Sequence, residues 1–265
     1  MKLGVNIDHI ATLRESRQIS EPNPLYALPY LQAAGANQIT IHLREDRRHI
    51  CEDDVCAILA QSSLPVNVES SLNEEILEFL CKNRPHSITL VPERREEITT
   101  EGGLELLTNE QRIANAMDKI ARAGITPALF VDPTRANMQK SHALGARKVE
   151  LHTGHYANLC LMLYGNLPRT RHSIKALQKS RKELKNEMDS CVQNLHEVAE
   201  FARNLGLSIA AGHGLNAQNV GEIAKIEAIS ELNIGHSIIG RAVFVGLKEA
   251  ISEILCAIDK ERSKS

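Results

Sequence analysis

The chain has 265 residues, a formal net charge of −2, 43% hydrophobic and 24% charged residues, and 3% aromatic residues with no Trp. That length and balance fit one large soluble domain whose core needs neither disulfides nor metal. Near-neutral charge and scarce aromatic platforms exclude a global field for nucleic acid or anionic membrane and argue against base stacking.

Eight short β-rich runs occur in order, at 3–8, 38–43, 65–70, 87–92, 126–132, 148–154, 208–214 and 232–240. Helical signals lie between them. Pro24 opens one helix and Gly35 ends it. Residues 72–81 and 113–123 space their apolar side chains three and four apart. Asp132-Pro133 reads as an N-cap and first helical residue, with Gly145 at the far end. Strand–helix alternation predicts a parallel sheet. Eight units in this length predict an α/β fold, a single (β/α)8 TIM barrel over residues 1–265, with a doubly wound open sheet as the alternative. The gap between strands six and seven is too long for one helix. Its polar stretch 165–190 carries Arg169, Arg171, Lys175, Lys179, Arg181, Lys182 and Lys185 against Glu183, Glu187 and Asp189. It is expected as an inserted helix or helical hairpin over one barrel end, either a solvated face or a lid or subunit contact. A disordered tail is expected at 260–265.

The six cysteines, Cys51, Cys56, Cys81, Cys160, Cys191 and Cys256, form no Cys-x-x-Cys pair. Reduced thiols are therefore expected rather than a disulfide framework or zinc ribbon. No apolar signal core or membrane-spanning stretch is read, so a cytoplasmic location is expected.

Strand parity carries the functional argument, because alternate side chains face opposite sides of a strand. Leu3, Val5 and Ile7 oppose Gly4, Asn6 and Asp8. Ile39, Ile41 and Leu43 oppose Thr40 and His42, with Arg44 in phase. Val66 and Val68 oppose Asn67 and Glu69, Val149 and Leu151 oppose Glu150 and His152, and Leu232 and Ile234 oppose Asn233 and Gly235. The aliphatic set must pack on helices, so the polar set points into the barrel. Burying so many polar groups is costly unless they pair or react, and barrel active sites lie at the C-terminal strand ends.

Individual strand ends then acquire chemistry. In Asn6-Ile7-Asp8-His9 a single His lacks the paired spacing of a metal hydrolase, so hydrogen-bonding roles are expected for Asn6, Asp8 and His9. The run from His42 to His49 holds three arginines able to grip phosphate or carboxylate, beside an inward His. Glu69, partly removed from water, is expected to exchange protons near neutral pH. Ala211-Gly212-His213-Gly214-Leu215 and Gly235-His236-Ser237 end strands seven and eight, the usual phosphate site of this fold. Asn216 reads as the cap of the following helix. His213 shares parity with Ile209 and Ala211, so its inward aim needs a break in the alternation. His86, His142, His172 and His196 read as surface or packing residues.

Taken together, these residues resemble the pyridoxine 5'-phosphate synthase family. The matching runs are Gly4 to Arg14, Ile41 to His49, Leu90-Val91-Pro92-Glu93 with Thr99-Thr100-Glu101-Gly102-Gly103, Glu150-Leu151-His152-Thr153-Gly154, Ala211 to Leu215, and Leu232 to Ala242. The stretch 165–190 looks longer than the family's usual connection. The resemblance implies condensation of 3-amino-2-oxopropyl phosphate with 1-deoxy-D-xylulose 5-phosphate. It implies His42 and Glu69 as proton acceptors and His213 as donor. It implies that Asn6, Arg17, Gly214, Gly235 and His236 hold the amino ketone phosphate, and that Asp8, His9, Arg44, His49 and Thr99 hold the xylulose phosphate. No metal or organic cofactor is implied, and the assembly implied is a homo-octamer.

Two rivals are weighed. A Schiff-base aldolase on the same barrel needs a Lys at a strand end, whereas Lys148 begins its strand. A non-catalytic phosphometabolite-binding protein has no use for His42 and Glu69 beside a phosphate site.

Overall fold

Short aliphatic runs with polar residues at alternate positions build a sheet that must be covered on one face and closed on the other. The computed structural model, which describes residues 1–93 and 102–263, shows eight parallel strands in a closed barrel in sequence order. They are β1 Lys2–Asn6, β2 Gln38–His42, β3 Val66–Ser70, β4 Ser87–Leu90, β5 Thr126–Val131, β6 Lys148–His152, β7 Ser208–Gly212 and β8 Ile229–Ile234. Around them lie α1 Asp8–Glu15, α2 Leu28–Ala34, α3 Glu52–Gln61, α4 Glu74–Asn83, α5 Glu110–Arg122, α6 Arg135–Ala143, α7 Gly154–Tyr164, α8 Arg181–Asn204, α9 Val220–Ala224, α10 His236–Val245 and α11 Leu247–Arg262. Among the described residues no helix is long and apolar enough to cross a membrane.

Helix ends follow local chemistry. Asn73 caps α4 by accepting from the Ile76 amide, and the helix buries Ile76, Leu77 and Leu80 on one face. A 3-10 turn at Pro24–Ala27 leads into α2, which Gly35 ends in the left-handed conformation at φ 90°. Thr134, not Asp132, caps α6, since its side chain accepts from the Asn137 amide. Asn219, rather than Asn216, precedes the first residue of α9. Asn216 instead accepts from the Gln218 and Asn219 amides in the turn before it.

Strand limits differ from expectation at the C-terminal end of the barrel. β1 stops at Asn6, and Asp8 begins α1. β8 starts earlier, at Ile229, and stops at Ile234. Residues 236–240 are the first turn of α10, because the chain turns into a helix directly after Gly235. Between β6 and β7 the polar stretch forms 3-10 turns at Leu167–Arg169 and Lys175–Leu177, then the first part of the 24-residue α8. Ser180 and Glu183 close a capping box there, and Leu184 and Met188 bury that end of the helix. The tail expected at 260–265 is helical through Arg262, whose guanidinium donates to the Ala224 and Ile229 carbonyls. Residues 264–265 lie outside the described part.

The alternation of faces holds. Val5, Val68, Ile88, Leu129, Val149 and Leu232 are fully buried against the helices. The opposite set fills the barrel with polar contacts: Lys148 Nζ and Gln38 Nε2 meet Glu231 Oε1 at 2.5 and 3.1 Å, and Asn233 Nδ2 donates to Glu150 Oε2 at 2.6 Å. Gly212 makes room for this network, since a Cβ there would lie 2.2 Å from Glu150 Oε1. Lys148 is thus committed to a structural ion pair.

Candidate active site

The C-terminal strand ends converge on His42. The residue closes β2 with 9% of its surface exposed. Its Nε2 lies 2.7 Å from Glu93 Oε1, and its Nδ1 lies 3.7 Å from Glu69 Oε2. Asp8, although on α1, still reaches inward. Its Oδ1 accepts from the His42 amide at 2.8 Å and its Oδ2 from Asn6 Nδ2 at 2.8 Å. The Asp8 amide in turn donates to Asn6 Oδ1, so the Asn6–Asp8 turn braces the backbone that carries His42.

The carboxylates around this imidazole are driven apart. Burial, with further repulsion from Glu150, Asp8 and Glu93, holds the Glu69 carboxyl well above its ordinary value. Burial likewise raises Asp8 to about 6, against the opposing pull of His42. Glu150 is raised to about 7 by burial, in spite of its hydrogen bond from Asn233. Glu93 moves the other way. Burial alone would raise it, but the His42 hydrogen bond, the Glu45 amide and Arg44 together hold it below the usual range. One carboxyl stays ionised while its neighbours resist ionisation, the separation that general acid–base chemistry uses.

Several of the remaining expected residues lie around this centre. Arg44, beyond β2, contacts Asp46 at 3.2 Å and Glu93 at 4.0 Å. His49 is buried, accepts the Ile50 amide on Nδ1, and has its ring 6.1 Å from that of His42. Burial and the nearby His42, Arg44 and Arg48 push it down to about 3. A neutral imidazole is thereby kept among cations. His9, the second residue of α1, meets His236 of α10 edge-on, with ring centroids 4.7 Å apart. Among the described residues the buried His9 Nδ1 has no hydrogen-bond partner. Gly235 lies immediately before α10 and packs beside Asn6, since a Cβ there would lie 2.7 Å from Asn6 Cβ. Arg17 is not brought into the cluster: it sits exposed on the turn after α1, and among the described residues no hydrogen bond or ion pair joins its guanidinium to the others. Thr99 lies outside the described residues.

His213 escapes the strand alternation because β7 ends one residue earlier. Its own φ is 77° and that of Gly214 is 80°, so the left-handed pair turns the ring toward His152, 5.0 Å away between centroids. His86, His142, His172 and His196 are exposed, away from these strand ends.

Four groups without a site role in the sequence reading join the site. Glu93 follows β4 by three residues, where alternation no longer predicts direction. Glu150 and His152 belong to the inward set of β6, which was their visible signal. Asp132 was read as a helix cap. In the structure it accepts the Gly103 amide at 2.9 Å and faces His152 Nδ1 at 3.2 Å.

Asp8, His42 and Glu69 also bring ligand atoms within 4.8 Å of one another, a spacing open to a metal ion. Each Asp8 oxygen already accepts one hydrogen bond and His42 Nε2 is held by Glu93, so among the described residues His42 Nδ1 and Glu69 are the least committed of these groups.

A family model described as "Pyridoxal phosphate biosynthesis protein PdxJ" matches residues 3–260. A pyridoxine 5'-phosphate synthase of Wolinella succinogenes is 53% identical over 255 residues, covering 96% of this chain and 97% of that protein. The protein of the same name from Aliarcobacter butzleri is 52% identical over 254 residues, with the same coverages. Among solved structures, 3-hexulose-6-phosphate synthase from Salmonella typhimurium superposes with a TM-score of 0.62 at 12% identity, covering 98% of this chain and 100% of that one, a likeness of fold alone. With full-length identity at this level and one family model spanning nearly every residue, the chain belongs to the pyridoxal phosphate biosynthesis protein PdxJ family.

Proposed function

We infer that the chain is a pyridoxine 5'-phosphate synthase. It condenses 3-amino-2-oxopropyl phosphate with 1-deoxy-D-xylulose 5-phosphate and releases pyridoxine 5'-phosphate, inorganic phosphate and water. The observation that carries this reading is the 53% identity over nearly the full length to a protein of that name.

Ring closure from two ketones needs imine formation, enolisation, phosphate loss and dehydration, each of which moves protons. His42 and Glu69, 3.7 Å apart, suit alternating roles as proton acceptors. His213, carried inward by its left-handed backbone, is assigned as donor to departing phosphate or water. Asn6, Arg17, Gly214, Gly235 and His236 are assigned to the amino ketone phosphate. Asp8, His9, Arg44, His49 and Thr99 are assigned to the xylulose phosphate. Arginines and helix-terminal amides offset phosphate charge as it develops. No metal or organic cofactor enters this scheme.

The working form is taken to be a cytoplasmic homo-octamer. Support for self-association comes from Val243 and Phe244 on α10, 67% and 83% exposed, an apolar pair that a second copy would cover. Light scattering of the purified protein checks this.

The decisive experiment mixes purified protein with both phosphorylated substrates and follows product fluorescence and phosphate release. Binding of both without product would support the phosphometabolite-binding alternative. Glu69→Gln is expected to bind both substrates and lose turnover by about 10²-fold or more. Near-normal rates in that variant would remove the role assigned to Glu69.

A further inference from the structure

We propose that the end of β6, His152-Thr153-Gly154, is a cradle that positions His213, with His152 as its positioning residue and Asp132 as its anchor. The inference rests on the assignment of His213 as the acid.

The cradle grips both backbone and ring. The Thr153 hydroxyl lies 2.7 Å from the carbonyl oxygens of both Gly212 and His213, and the Thr153 amide donates to Gly212 O at 2.9 Å. These contacts fall where the chain enters the left-handed conformation of His213 and Gly214. That conformation is costly for a residue with a Cβ and needs neighbours to hold it. The ring of His213 meets that of His152 edge-on, at 5.0 Å and 62°. Phe130 of β5 backs both rings, at 5.1 Å from His152 and 6.3 Å from His213.

His152 is itself fixed. Asp132 lies 3.2 Å from its Nδ1, and the hydrogen bond from His152 is the first cause holding Asp132 below its usual range. An ionised carboxylate only accepts, so Nδ1 carries a proton and points at Asp132, which leaves Nε2 as the ring edge facing away from it. That Nε2 is buried and, among the described residues, without a hydrogen-bond partner. It is aimed at the cleft beside Gly154 and His213. A Cβ on Gly154 would lie 2.5 Å from His152 Nε2 and 3.1 Å from His213 Cδ2. The missing side chain leaves the two rings in direct contact. A buried polar atom left unpaired is unfavourable, and its place here fits a role in setting the edge of the ring beside it.

The test compares His152→Asn, which keeps an amide near the Nδ1 position but removes the Nε2 edge, with His152→Gln, which restores a polar atom near Nε2. Gly154→Ala, whose methyl would wedge between the rings, serves as an independent variant should His152→Asn fail to fold. Crystal structures of the variants, steady-state rates with both substrates, and calorimetric titration of each substrate are measured. Expected for His152→Asn and Gly154→Ala are a displaced His213 ring, a kcat loss of about 10-fold, and substrate affinities within about two-fold of the parent. His152→Gln is expected to recover part of the rate. An unmoved His213 ring in both variants overturns the cradle, as does a rate loss matched by an equal loss of substrate affinity. A displaced ring with full turnover instead removes the acid role from His213 and leaves the cradle standing.

Discussion

Glu93 places its Oε1 2.7 Å from His42 Nε2 and so decides which imidazole nitrogen is the base. Glu93 is held ionised against burial by His42, the Glu45 amide and Arg44, and an ionised carboxylate accepts only. The Nε2 proton is therefore committed, and Nδ1, on the Glu69 side, is the acceptor. Replacing Glu93 by Gln gives an amide that can donate to Nε2 or accept from it, and the tautomer is no longer fixed. Glu93→Gln is expected to lower kcat by about 10²-fold with KM changed little. Steady-state kinetics with both substrates check this, and a rise in KM at unchanged kcat would show that Glu93 serves binding.

Glu150 supplies a test in pH. Its carboxyl is raised to about 7 from an ordinary 4.5, chiefly by burial. Below pH 4.5 it is neutral whether the chain is folded or not. Between 4.5 and 7 the unfolded chain ionises first, so the folded state loses stability as pH rises, and above 7 the loss levels off. Glu150→Gln removes this titration while keeping an oxygen for Asn233. The stability of the variant relative to the parent is expected to climb from pH 4.5 to 7, by on the order of 3 kcal/mol in total. Urea unfolding of both proteins across that range measures it. A difference that does not change with pH would mean that Glu150 titrates normally.

The part of the site that follows from sequence is the part governed by alternation. Once the sheet closes, a side chain faces either helices or axis, so Ile39 and Ile41 fix the direction of Thr40 and His42. The same logic reaches Glu69 and Glu150. It stops where the strands stop. Asp8 keeps the inward side that alternation gives it although it opens a helix, whereas Glu93 and Asp132 point inward from loops and His213 from a left-handed turn. The directions of these last three depend on backbone angles that no periodicity encodes. The reading of 236–240 as strand fails for a related reason: aliphatic Ile238 and Ile239 suit a buried strand and a buried helix turn equally, and only Gly235 marks the change.

Chelation tests the reading that the Asp8, His42 and Glu69 grouping works without a metal. Each Asp8 oxygen already accepts a hydrogen bond, from the His42 amide or Asn6 Nδ2, and His42 Nε2 is held by Glu93. A metal would have to share an Asp8 oxygen with one of these bonds and compete with the proton on His42. Prolonged EDTA treatment and desalting are therefore expected to leave turnover unchanged, and added Zn²⁺ to inhibit by capturing His42 Nδ1 and Glu69. Activity that disappears on chelation and returns with one divalent ion would reassign the trio as a metal centre.

The last prediction concerns how the loop bearing His49 is held. Arg14 of α1 makes a two-pronged pair with Asp54 of α3, at 2.7 and 2.8 Å, and donates to the His49 carbonyl at 3.0 Å. Asp54 also accepts from the Cys51 amide at 3.0 Å, so a single carboxylate clamps the far end of the loop. Arg14 and Asp54 are both buried, at 8% exposure each. Removing one charge leaves the other without its partner, which typically costs about 3–5 kcal/mol. Arg14→Ala is expected to destabilise the fold by about that amount and to loosen His49, raising KM for the xylulose phosphate more than for the amino ketone phosphate. Replacing both residues by apolar side chains, Arg14→Met with Asp54→Leu, is expected to recover much of the stability but not the KM, because the bond to the His49 carbonyl stays lost. Unfolding curves and KM values for the single and double variants separate the two effects. Recovery of both together would mean that the pair serves stability alone.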